Sequence, residues 1–69
     1  MAFRREVDNE LNVRSGAGTN NTVVGVLKKG EVYTIVDEKD VNGYKWGLLK
    51  SYSSKRNGWI SLKYTEKLR

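Results

Sequence analysis

The chain has no cysteine, no histidine and no proline. Without cysteine there is no disulfide staple, no thiolate metal site and no sulfur nucleophile. Without histidine the commonest general base and metal ligand is missing, and no side chain has an ordinary titration near neutral pH. Catalysis would have to rest on carboxylates, lysines or hydroxyls. Long apolar runs are absent as well. Nothing approaches the roughly 20 residues that cross a bilayer, and the start, Met1-Ala2-Phe3-Arg4-Arg5-Glu6, lacks a signal-peptide core. Sixty-nine residues make one domain, residues 1–69. At that size folding buries only about 60% of the surface of the unfolded chain, so a small core and no extensive catalytic cleft are expected.

What is there reads as β structure. Short runs rich in Val, Ile, Leu, Tyr and Trp are separated, about every 8–12 residues, by Gly, Asn, Asp and Ser clusters, and no segment has a helical period. Val7 falls in a first short strand. Leu11 and Val13 alternate inward in the next, with Asn12 and Arg14 facing out. Residues 15–22 form a loop whose glycines and asparagines accept turn geometries. Val23, Val24, Val26 and Leu27 make a third strand, ended at Lys28-Lys29-Gly30. Beyond it, Tyr33 and Ile35 share one face, with Val32, Thr34 and Val36 on the other, so a strand covered on both sides is expected. Asn42-Gly43, between Val41 and Tyr44, is the strongest local signal, a two-residue hairpin turn. The strand after it alternates Tyr44, Trp46 and Leu48 against Lys45, Gly47 and Leu49. Residues 51–57 read as a polar loop, expected to be the most mobile part. Gly58-Trp59-Ile60-Ser61 is a short strand, Leu62-Lys63-Tyr64 a single helical turn, and residues 65–68 a closing strand.

Thirteen basic and eight acidic side chains give a net charge of +5, which favours anionic partners such as wall polymers or nucleic acid. The charges are interspersed, and solubility accounts for them equally well. Glu6, Asp8 and Glu10, and Asp37, Glu38 and Asp40, are the carboxylate groupings from which a glycosidase pair could be drawn. Both lie in polar stretches among lysines and arginines, and read as solvated strand edge or loop. No calcium loop, phosphate-binding glycine loop or serine-hydrolase elbow is present. The seven aromatics exceed what so small a core can hide, and Tyr and Trp suit partly exposed platforms. Tyr33 is assigned to the core, and Trp59 to packing beside Ile60.

Four segments, in order and spacing, carry a resemblance: Leu11-Asn12-Val13-Arg14-Ser15-Gly16-Ala17-Gly18, the run from Val24 to Gly30, Trp46 in its strand, and Asn57-Gly58-Trp59-Ile60-Ser61-Leu62-Lys63-Tyr64. Together they resemble the bacterial SH3-type (SH3b) domain. The chain departs from that pattern at Ala17, where proline is common, and Ser61 stands in place of the proline found in the groove-tyrosine segment of the wider SH3 superfamily. The resemblance implies an all-β fold, a small SH3-like barrel of about five to seven short antiparallel strands. It implies a non-catalytic module, without cofactor or metal, that binds a peptidoglycan stem peptide or crossbridge. Such a module targets an endolysin or autolysin to the cell wall. The catalytic domain would lie N-terminal to this chain, as an excised piece beginning at Met1-Ala2 would allow, and the site of action would be the wall, reached after host lysis or secretion. Trp46 and Tyr64 would flank a shallow groove. Asn12, Arg14, Thr19, Asn20, Asn21 and Tyr44 would complete the ligand-binding set. Arg14 either pairs with a peptide carboxylate or ties down its own loop. As groove walls, Trp46 and Tyr64 should be removable without loss of the fold, unlike Tyr33. The competing reading is an intracellular module binding a protein or single-stranded nucleic acid on the same surface, with nucleic acid the less favoured partner. A third makes the domain a structural or autoinhibitory partner of its neighbour.

Overall fold

The computed structural model describes residues 2–50 and 58–68; the polar loop expected at residues 51–57 lies outside them. Seven strands follow in chain order: β1 (Phe3–Val7), β2 (Leu11–Arg14), β3 (Val23–Leu27), β4 (Val32–Val41), β5 (Tyr44–Leu49), β6 (Trp59–Ser61) and β7 (Thr65–Leu68), with a 3-10 turn at Leu62–Tyr64 between the last two. They form one antiparallel sheet in the order β3-β2-β6-β5-β4-β1-β7. The sheet curls until its inner face meets itself. Val7, Leu11, Val13, Leu27, Tyr33, Ile35, Leu49, Ile60 and Leu62 come together there as the core, with Phe3 packed against them. Every strand from β1 to β6 contributes at least one of these residues.

The curl has a local cause in β4. Ile35 opposes Leu49 and Asp37 opposes Leu48, so Val36 is an extra residue with no partner on β5. Such a bulge bends a strand and increases its twist. Before the bulge β4 pairs with β1 and after it with β5, and Ile35, fully buried, faces Phe3 on one side and Leu49 on the other. The charged run of residues 37–40 therefore sits in a strand, where β5 supplies the ladder. Val32 departs from the expectation of a strand covered on both faces. It is 44% exposed.

At the β4–β5 turn Asn42 has φ 52° and Gly43 φ 84°. Two consecutive positive φ values are what a two-residue hairpin needs to match strand twist, and Asn-Gly is the pair that tolerates them. Gly58 answers a different demand. A Cβ there would stand 2.5 Å from the Arg14 carbonyl oxygen and 2.7 Å from Val13 Cγ1, so only glycine lets β6 start this close to β2.

Candidate functional site

On the outer side of the sheet, β5 carries Tyr44, Trp46 and Leu48, the residues that alternate with inward Gly47 and Leu49. Trp46 lies opposite Ser61 of β6. Over this strip folds the loop between β2 and β3. Its Gly18 is buried, and a Cβ there would touch Val41 Cγ1 at 3.7 Å. Between the loop and the sheet runs an open groove of about 750 Å³.

Its floor is Trp46 with Ser61. One wall is the loop, Ala17, Gly18, Thr19, Asn20 and Asn21, with Arg14 behind it. The other is aromatic, Tyr44 and Tyr64 with Lys63 between them. Asn9, Glu10, Leu11 and Asn12 line one further part, and Val41 and Asn42 another. All eight residues singled out from the sequence, Asn12, Arg14, Thr19, Asn20, Asn21, Tyr44, Trp46 and Tyr64, line this one groove. Trp59 is not among them. It sits half-buried opposite Leu48, with Lys39 Nζ 6.0 Å from its ring centre.

The eight differ in what they can offer a ligand. Tyr44 is 56% and Tyr64 47% exposed, while Trp46 is only 5% exposed. Trp46 is thus a nearly buried floor residue of the groove, which corrects the expectation of a removable wall. Arg14 is committed to its own loop. Its Nη1 donates to the Thr19 carbonyl at 3.1 Å and to the Asn21 carbonyl at 2.9 Å. Of its two alternatives the structure adopts the loop tie, and Arg14 is half-buried instead of facing out. Asn21 is turned inward in the same way, its Nδ2 donating to the carbonyls of Ala17 and Gly18, both at 3.1 Å. Ser15 N–H donates to the Thr22 carbonyl at 2.9 Å and closes the loop base. Arg14 and Asn21 therefore hold the wall's shape. Asn12, Thr19 and Asn20 are exposed.

The aromatic wall stands on the 3-10 turn. Thr65 Oγ1 donates to the Leu62 carbonyl at 2.8 Å, and the Asp8 N–H donates to the Tyr64 carbonyl at 3.0 Å. Lys63 was not singled out from the sequence, yet its Nζ lies 5.6 Å from the Tyr44 ring centre and 5.7 Å from that of Tyr64. Each distance is within cation–π range. Glu10 was likewise assigned only to a solvated stretch, and it is the only carboxylate among the described lining residues. A glycosidase pair would need two carboxyl groups facing one bond, and the groove supplies one.

An open cleft with exposed aromatic rings, side-chain amides and a pre-shaped loop is suited to an extended peptide or amide-rich chain, held by ring contact and hydrogen bonds. A family model, described as bacterial SH3 domain, matches residues 9–66. That span takes in every groove residue named above. Comparison with curated proteins and with solved structures found no match.

Proposed function

Because this chain belongs to the bacterial SH3 domain family, we propose that it is a non-catalytic module that binds peptidoglycan peptide and targets a peptidoglycan hydrolase, such as an endolysin or autolysin, to the cell wall. The hydrolase's catalytic domain would precede this chain, and the place of action would be the wall, reached by secretion or after host lysis. The observation that carries the reading is the groove itself. Its contact surface is two exposed tyrosines, the amides of Asn9, Asn12, Asn20 and Asn42, and the Thr19 hydroxyl. Crossbridges and stem peptides present matching amides and short apolar side chains.

Phosphate-directed charge has a secondary place in this recognition. Among the described residues, the groove's basic side chains are Arg14, bound to loop carbonyls, and Lys63, held between two rings. A stripe of free cations, which phosphate-driven binding of nucleic acid requires, is not what lines the groove. The test is cosedimentation of the purified chain with peptidoglycan sacculi stripped of phosphate polymers, beside a titration with single-stranded oligonucleotide across salt. Wall binding that survives moderate salt is expected, because ring contacts are not screened. Absence of sacculus binding, or tighter binding to the oligonucleotide with steep salt dependence, would overturn the reading.

A further inference from the structure

The cation at the aromatic wall has no partner of opposite charge. Lys63 Nζ contacts the rings of Tyr44 and Tyr64, and no carboxylate among the described residues pairs with it. A lysine on a free surface sweeps a wide volume and offers little specificity, because fixing its long chain costs rotamer entropy. Here two rings, one from the start of β5 and one from the 3-10 turn, pin the ammonium between them at the groove's edge. Pinning lowers the ordering cost that a ligand would otherwise meet. Ring faces, unlike carbonyls, leave the ammonium's N–H groups without strong acceptors, and an ammonium has three to give.

The other cation among the described groove residues, Arg14, is already tied to its own loop, its Nη1 occupied by two loop carbonyls. We propose that Lys63 is the groove's specificity-determining residue, reading a free carboxylate on a wall peptide, whether a chain end or an acidic side chain, while Tyr44 and Tyr64 pack against the adjoining backbone. This inference rests on the wall-binding reading and adds the ligand's charge to it.

The test uses sacculi stripped of phosphate polymers, in two forms: untreated, and with their carboxyl groups converted to neutral amides by carbodiimide and ammonia. The parent chain should bind untreated walls about 5-fold more tightly than amidated ones, the order expected for one partly exposed charge-assisted contact. Lys63→Gln should bind both forms equally, at the level of the parent on amidated walls, and Lys63→Arg should recover part of the preference. Lys63 is exposed, so the variants should keep the parent's denaturant midpoint. A parent that binds both forms equally well overturns the role of Lys63 and leaves the wall-binding reading standing. A parent that binds neither form overturns both. A Lys63-dependent difference seen only before phosphate polymers are stripped also overturns the proposal, because the ligand group would then be a phosphate.

Discussion

The two walls of the groove are held by opposite means. The loop wall has no partner strand across it, and its shape comes from side chains reaching back to carbonyls, Arg14 to those of residues 19 and 21 and Asn21 to those of residues 17 and 18. The aromatic wall is mounted on regular structure, Tyr44 on a strand and Tyr64 on a turn fastened by Thr65 and by the Asp8 N–H. Its exposed rings do little for the fold. In the loop the polar side chains are therefore scaffold and the tip is contact surface. On the other side the backbone is scaffold and the side chains are contact surface. Mutations of similar chemistry should have different consequences on the two sides.

The largest effect belongs to the floor that both walls share. Trp46→Ala removes a side chain only 5% exposed, and the lost burial plus the cavity should cost about 3 kcal/mol or more. A lowered denaturant midpoint together with loss of sacculus binding is the expected result. A variant that keeps its midpoint would show that the ring is not packed. Arg14→Ala comes next, at about 1 kcal/mol, because the partly buried Asn21 carbonyl and the exposed Thr19 carbonyl lose their donor. Amide exchange across residues 17–21 should quicken in step with weaker wall binding. Loss of binding with unchanged exchange would mean that Arg14 meets the ligand itself, and the division between scaffold and contact would fail on that side. The smallest effect on the fold is expected for Tyr64→Ala and Tyr44→Ala, within about 0.5 kcal/mol each as exposed positions, while sacculus affinity falls about tenfold. Calorimetry and cosedimentation on the same samples would check both halves. Substantial destabilisation by either change would make the aromatic wall structural after all.

Much of this was legible from local chemistry. Asn42-Gly43 announced its turn because two positive φ angles are a property of those two residues, and the inward alternation of Leu11 with Val13 and of Tyr33 with Ile35 followed from strand geometry. The eight groove residues were found through resemblance to a family, since no local rule brings Asn12 and Tyr64 together. Where the sequence misled, the cause was tertiary. Residues 37–40 read as strand edge or loop, and of the two they are strand because β5 lies beside them. In β1, the strand signal lay at Glu6 and Val7 and did not reach Arg4 and Arg5, yet both neighbouring strands hold them. Trp46 was expected at the surface because the burial of a ring by distant elements cannot be read from spacing. The meeting of Lys63 with Tyr44 joins residues from two separate elements, the 3-10 turn and β5, and nothing in either neighbourhood signals it.

The bulge at Val36 also bears on how the molecule comes apart. Since β4 belongs to both halves of the sheet, and Ile35 is clamped from both sides, detaching either half uncovers the same buried side chain. The Lys50 N–H, which donates to the Thr34 carbonyl at 2.9 Å, stitches the same junction. Opening by halves is thereby expected to be disfavoured, because the shared strand couples the two ladders. Amides around Thr34 and Ile35 should exchange only when the entire molecule unfolds, and thermal and spectroscopic transitions should coincide as one event.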